Sequence, residues 1–567
     1  MRHARFLLLA PFLLAASSLV AQTTALPRTH APAPTSSTIT AADLMTRLYI
    51  FADDSMLGRE TGTVGHLKST DYIARELQRL GLEPAGDNGS YFQALPMIRR
   101  AFDVASIMTV GGVTLRGGVD FVASTRGGAS DLDGVQVIFG GTALDTVGML
   151  TEAQVRGKLV VLLPASGGGG RGAQFGRRGA FRAFSQALGS AAAIATITDE
   201  LDPAMVQSLT HPREGDVFMQ PSDGAGAPAT LTITPHAAAV LLGRPPEAAA
   251  KGQLGKTVTG RINFMDEPAP ARNVVAILRG SDPALRGEYV AIGSHTDHTG
   301  LLQGSPVDHD SLHLYNEARF AIVGMVSRGE RPTPEQQAQV AAIALNLDSI
   351  RAVRPARADS LRNGADDDGS GSVTMLELAE AFARTDPKPK RSILFVWHTG
   401  EEKGLLGSRW FSEHPTVPRD AIVAQLNMDM VGRGAASDLP VGSPDYVALV
   451  GSRRLSTELG DLVETVNAAS AKPLQFDYQF DADGHPENIY CRSDHYHYAR
   501  WGIPVVFFTT GLHGDYHQVT DEPEYIDYPH MARIGQLVYD VAAQVANMDH
   551  RPVVDREKPD PSAACRQ

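Results

Sequence analysis

Apolar positions along the chain follow two periods. Leu44, Leu48 and Phe51, and then Ile73, Leu77 and Leu80, recur at helical spacing and predict two amphipathic helices at the start of the folded part. Gly81 follows the second, a residue free to take the left-handed conformation that ends helices. From about residue 100 to 265 the pattern shortens to β-type runs with many glycines, such as "GVQVIFGG" (134–141), "GKLVVLLP" (157–164) and "AAAIATI" (191–197), which predicts a separate β-rich module. After residue 271, continuous apolar runs alternate with helical stretches. The runs are "NVVAILRG" (273–280), "EYVAIGSH" (288–295), residues 392–397, "AIVAQLNMD" (421–429) and "GIPVVFFTT" (502–510). One helix is read from Val373 to Arg384, and a closing helix after Pro529 carries Ile534, Leu537, Val538, Val541 and Val545 on one stripe. Strands without polar alternation are buried on both faces, so this half is expected to be a three-layer α/β/α domain with a mostly parallel sheet. Residues 303–362 carry no strand pattern and are read as an inserted helical excursion at the sheet's rim.

Length and charge narrow the class. A chain of 567 residues exceeds what one core organises, and a net charge of −13 disfavours nucleic acid or an anionic membrane as a partner. The opening "MRHARFLLLAPFLLAASSLVAQ" has two arginines, an apolar stretch and small residues, the pattern of a secretory signal cut after Ala21. It is too short for a membrane anchor, and a secreted or periplasmic location is expected. The expected organisation is then a disordered leader (22–38), a first part of the α/β domain (39–100), the β-rich module (101–265), the rest of the α/β domain (266–550) and a tail (551–567). Cys491 and Cys565 are the only cysteines; an exported compartment permits a bond between them without requiring one. The segment "GGGGRGAQFGRRG" (167–179) lacks the Gly-Lys-Ser/Thr ending of a phosphate loop and is read as a surface loop.

Chemistry enters at the strand ends. In "RSILFVWHTGEEKGLLGSRWF" (391–411) a buried strand runs into Glu401 and Glu402, where an α/β sheet gathers its ligands. Taken alone the pair reads as an acidic turn, but four other sites keep it company. "GSHTDHTG" (293–300) sets His295 and Asp297 two apart, on one face of extended chain, where a carboxylate can orient a metal-binding imidazole. "NGADDDGSGS" (363–372) places Asp366, Asp367 and Asp368 at a helix N-terminus; Asp429 ends "LNMD", and His517 lies in "GDYHQVTDEPEYID", near His495, His497 and His513. Two histidines with three or four carboxylates suit a pair of zinc ions sharing a bridging carboxylate. Tyr490, Tyr496 and Tyr498 are read as packing residues.

The ordered set "GSHTDHTG", "NGADDDGSG", "HTGEEKGLLGS", "LNMDMVG" and "DYHQVTDEPEYI" resembles the secreted dizinc aminopeptidase family, a zinc exopeptidase α/β/α domain with an inserted protease-associated domain. "DDSMLGRETGTVG" and "GLEPAGDNGSYFQ" are similar to its entry segment. The resemblance implies that His295 and Asp429 hold one zinc, Glu402 and His517 the other, and Asp367 bridges both. It also implies that Asp297 orients His295, that Glu401 is the general base, and that Tyr516 lies near the substrate carbonyl. The implied substrate is a peptide cut at its free N-terminus. A carboxypeptidase or dipeptidase of the same fold stays open, because metal ligands do not say which end of a peptide is held. A single-zinc glutaminyl cyclase and a receptor-like protein without activity fit the full set of ligands and base less well. The long interval between Asp297 and Asp367 departs from the family's commoner form, and shortening residues 310–358 is expected to change peptide-length preference more than zinc binding.

Overall fold

The computed structural model describes residues 27–145, 147–165, 184–220, 228–324 and 332–567. The segments read from sequence as a secretory signal and as a surface loop (167–179) lie outside these residues.

The α/β domain opens with α1 (Ala41–Phe51) and α2 (Val64–Leu80). Thr40 caps α1 through the Asp43 amide, and Gly81 ends α2 in the left-handed conformation the sequence predicts. The remaining elements that place the site are β1 (Arg272–Leu278), β2 (Tyr289–His295), α3 (His309–Val323), α4 (Gly371–Arg384), β3 (Ser392–His398) and α5 (Leu406–Glu413). They are followed by β4 (Ile422–Met428), β5 (Tyr446–Val450), β6 (Val505–Thr509) and α6 (Tyr528–Asn547). Across this part of the sheet the order is β1, β3, β2, β4, β6, β5; the four central strands are parallel, β1 runs antiparallel to β3, and β5 antiparallel to β6.

Both faces of this sheet are dry. Ile393, Phe395 and Trp397 of β3 join α1, α2, α4 and α6 in one core, while Leu394 and Val396 pack with Phe411 of α5 and Tyr498 in another. The unbroken apolar run is the consequence: neither set of alternating side chains meets water.

The β-rich module has its own sheet and core. Val135–Thr142, Leu159–Leu163, Ala193–Ile197 and Ala229–Ile233 form its parallel centre, flanked by antiparallel Leu254–Ile262 and Phe121–Ala123. The chain enters and leaves it through Met97–Phe102 and Phe264–Ala269, which pair antiparallel from Met97 opposite Ala269 to Phe102 opposite Phe264.

Three expectations are refined. Residues 27–38 of the segment read as a disordered leader form no helix or strand, yet they are tied down: Arg28 meets Asp310 at 2.9 Å, and Thr35 donates to Glu380 at 2.6 Å. Buried acids supply partners that composition does not reveal. The insertion contains α3 and two short helices, and it is closed at its base by two-residue ladders, Gly300–Leu301 with Leu361–Arg362 and Val307–Asp308 with Ala358–Asp359. Such ladders are too short to show as a sequence pattern. Cys491 and Cys565 are bonded, with Cα atoms 5.8 Å apart across a separation of 74 residues.

Candidate metal centre

Consecutive strands β3 and β4 lie on opposite sides of β2, a reversal that opens a crevice at the carboxyl ends of a parallel sheet. His295 ends β2, Glu401 and Glu402 follow β3, Asp429 follows β4, and His517 lies beyond β6. All five reach the same crevice, joined by Asp367 from the loop before α4.

Two groups of ligand atoms form there around one shared carboxylate. His295, Asp367 and Asp429 make the first, and His298, Asp367, Glu402 and His517 the second, each with one ligand atom per residue within 4.8 Å of the others. His295 Nε2 is 3.2 Å from Asp367 Oδ1 and 3.6 Å from Asp429 Oδ1; His517 Nε2 is 3.0 Å from both Asp367 Oδ2 and Glu402 Oε2. Glu401 stands at the edge of the first group, 4.0 Å from His295 Nε2.

The three aspartates of the triplet divide their work. Asp368 accepts from the amides of His295 (3.0 Å), Gly371 (2.9 Å) and Met430 (3.2 Å), and Asp366 accepts from Gly432 N at 2.7 Å. Both spend their charge on backbone donors. Asp367 alone faces the centre, with its own amide held by Asp521 at 3.0 Å.

The electrostatics ask for cations. Asp297, Asp367, Glu401, Glu402 and Asp429 converge, and among the described residues their ion-pair partners are histidines only. Burial raises the Glu401 carboxyl well above its ordinary value. Burial would raise Asp367 as well, but the imidazoles of His295 and His517 beside it hold it well below. Burial lowers His517, yet Glu402 and Asp367 outweigh it and push the imidazole up to about 10. The nitrogens His295 Nε2, His298 Nδ1 and His517 Nε2 are buried and lack aligned hydrogen-bond partners although carboxylate oxygens lie close by. Lone pairs of imidazole and carboxylate aimed at common points are a donor set that fits metal ions, and zinc in particular.

Supporting residues hold this geometry. His295 Nδ1 lies 3.0 Å from the main-chain oxygen of Asp297 and 3.8 Å from its carboxylate, so the orienting contact comes from the backbone. The Asp297 carboxylate instead accepts from Thr61 Oγ1 at 2.9 Å and from the Glu401 amide at 3.2 Å. Sequence reasoning missed His298, whose Nδ1 is 2.9 Å from Glu402 Oε1; it stands in the quoted "GSHTDHTG", and its proximity to two ligands was the available signal. It also missed Arg59, fully buried, which donates to the carbonyls of Thr296 (2.9 Å), Asn363 and Gly364 (2.8 Å) and ties the His295 loop to the aspartate loop. His495 and His497 lie outside both groups, and His513 meets Asp366 at 3.3 Å.

Beside the centre lies a cleft lined by Asp367, Glu401 and Asp429 together with the apolar side chains of Phe480, Ile489 and Phe507. Tyr516 lines it too, its ring stacked on His517 at 3.8 Å and its hydroxyl accepting from Arg492 at 3.2 Å.

A parallel α/β sheet whose crevice collects two histidine-carboxylate groups around one aspartate is a framework suited to holding a pair of metal ions. Residues 273–542 match the model of peptidase family M28, in keeping with the motif resemblance. Leucine aminopeptidase 1 of Pyrenophora tritici-repentis (strain Pt-1C-BFP) is 28% identical over 227 residues, covering 38% of this chain and 54% of the relative. Leucine aminopeptidase 1 of Paracoccidioides brasiliensis (strain Pb03) is 31% identical over 192 residues, 32% of this chain and 47% of the relative. The chain thus spans about half the length of these curated relatives. Among solved structures, the aminopeptidase from Aneurinibacillus sp. strain AM-1 is 16% identical with a TM-score of 0.44, covering 92% of this chain and 97% of that one. The zinc aminopeptidase BSAP from Bacillus subtilis is 14% identical with a TM-score of 0.42, covering 90% and 96%.

Proposed function

We propose that the protein is a secreted aminopeptidase working with two zinc ions, with His295 and Asp429 holding one, Glu402 and His517 the other, and Asp367 bridging both. The observation that carries this reading is the pair of ligand groups sharing Asp367 at the wall of a cleft. His298 joins the Glu402 and His517 group as a further ligand or as the partner that orients Glu402. When bound, the zinc pair supplies Lewis acidity toward a peptide carbonyl and toward water. Glu401, raised by burial and standing at the cleft wall, takes the proton from the attacking water and returns it to the leaving amine. Tyr516 offers its hydroxyl hydrogen toward the substrate carbonyl while Arg492 occupies the oxygen's acceptor side. The apolar cleft wall supports an apolar first residue, as do the relatives named leucine aminopeptidase. The β-rich module is read as a protease-associated domain, and the N-terminal segment as a signal for export.

Mass-spectrometric product mapping tests the reading. The mature chain is incubated with one unblocked peptide and its N-acetylated twin, each with and without a zinc chelator. Stepwise loss from the free N-terminus only, abolished by the chelator, is the expected outcome. Trimming of both peptides from the C-terminus would move the assignment to a carboxypeptidase.

A further inference from the structure

We propose that the rim of the centre on its Glu402 side is a carboxylate-binding site, in which Arg362, flanked by Lys403 and Arg213, holds a carboxylate on the departing part of a short peptide. This rests on the exopeptidase reading above and adds the class of substrate to it.

Arg362 ends the insertion and pairs with Gly300, two residues beyond His298, so its backbone runs beside the loop that carries His295 and His298. Glu60 wedges into the same place. A Cβ on Gly300 would come within 2.7 Å of the Glu60 side chain, and one on Gly215 of the β-rich module within 2.1 Å, so this corner is built around that one carboxylate. Its charge is already engaged: Lys403 Nζ lies 3.1 Å from Glu60 Oε1, and Arg213 Nη2 lies 3.9 Å away, with a second partner in Asp216 at 2.8 Å. Among the described residues Arg362 has no carboxylate oxygen within 4.0 Å of its guanidinium.

The surroundings of Arg362 agree with this placement. Burial lowers its hold on its proton, Glu60 and Glu402 draw it the other way, and Arg213 repels it. A half-buried guanidinium next to a like charge is costly unless a carboxylate arrives, and Arg presents a planar fork suited to that group. Position decides which carboxylate. The apolar cleft lies on the Asp429 and Glu401 side and takes the first residue of a peptide. Arg362 and Lys403 lie on the Glu402 side, where the second residue leaves. A peptide of two or three residues brings its own C-terminal carboxylate there; a longer one reaches the site with an acidic second side chain.

Two matched substrate pairs separate these sources. Leucine release by the zinc-loaded full chain is measured for leucylglycine against leucylglycinamide, and for leucylaspartic acid α-amide (Leu-Asp-NH2) against leucylasparaginamide (Leu-Asn-NH2), the aspartyl side chain being the free carboxylate in the first of that pair. The expected result is a kcat/KM ratio of acid to amide of about tenfold or more, as charge-assisted bonds give. A ratio in the first pair assigns the site to the peptide's C-terminus, and a ratio in the second alone assigns it to an acidic second residue. Arg362→Gln should bring the ratio near one, and Arg362→Lys should restore part of it, which separates loss of charge from loss of fold. Ratios near one in both pairs for the unaltered chain would overturn the inference while leaving the aminopeptidase reading intact; no leucine from any of the four would end both.

Discussion

Neighbouring residues in the crevice stand in different surroundings. Glu401 and Glu402 are adjacent in sequence, yet only Glu402 belongs to a ligand group, while Glu401 stands at the cleft wall. Glu401→Gln should therefore lower kcat by about 10²–10⁴-fold or more while the zinc content measured by atomic emission stays at the wild-type value. Loss of zinc would instead make Glu401 a ligand. Asp429 is oriented by a buried relay. Gln425 Nε2 donates to Asn427 Oδ1 at 3.0 Å, Asn427 Nδ2 to Ser493 Oγ at 3.0 Å, and Ser493 Oγ to Asp429 Oδ2 at 2.6 Å. Removing the last link with Ser493→Ala should weaken zinc retention about 10- to 100-fold, the usual cost of losing a group that orients a ligand. Chelator competition reads this directly, and an unchanged affinity would mean that the strand alone orients Asp429.

Among the elements, the insertion bears on the centre more closely than its sequence suggests. His517 has φ of 60°, a left-handed conformation that costs a non-glycine residue about 1–2 kcal/mol and persists only where neighbours enforce it. Those neighbours come from α3: His313 Nδ1 meets Asp515 Oδ2 at 2.9 Å, Asn316 Nδ2 donates to Thr520 Oγ1 at 3.2 Å, and the Tyr525 ring stacks on His313 at 3.8 Å. Asp515 lies two residues before His517, so α3 braces the ligand loop from outside. Deleting residues 310–358 is expected to lower zinc retention as well as to change peptide-length preference, whereas the spacing of motifs alone suggested an effect on length preference first. A deletion variant that holds zinc as the full chain does would show that the brace is dispensable.

For the whole molecule, buried histidines set the response to acid. His66 accepts from the Arg272 amide at 3.2 Å through Nε2, a bond that requires the neutral ring, and burial together with Arg272 lowers its pKa to about 3. Burial lowers His495 and His497 to about 3 as well. The unfolded chain binds these protons near pH 6.5 and the folded chain does not, so stability is present above that value and is lost as pH falls toward 3. The slope is about 1.4 kcal/mol per pH unit for each such group. Glu377, which burial beside Arg47 raises to about 7, acts in the opposite sense between pH 4.5 and 7, and so do Glu401, Asp368 and Glu522, which burial also raises. The fall of the denaturant midpoint with acid should be shallower for His66→Gln than for the unaltered chain; parallel curves would remove His66 from this account. Much of the architecture was legible without coordinates. Unbroken apolar runs such as 393–397 require burial on both faces, a strand so buried needs helices on either side, and acidic and imidazole groups at the ends of such strands share one edge of the sheet. Sequence order therefore pointed to the fold class, the strands and the stretches that meet at the centre. The motif resemblance singled out Asp367 within its triplet, and the tertiary structure supplies the reason, because Asp366 and Asp368 find backbone donors from β2 and the loop after β4. Tertiary structure alone decided that His298 reaches Glu402, that Arg59 ties two loops together, and that Arg362 runs beside the His298 loop with no ion pair among the described residues. These are relations between segments tens or hundreds of residues apart, set by packing distances that no local pattern encodes.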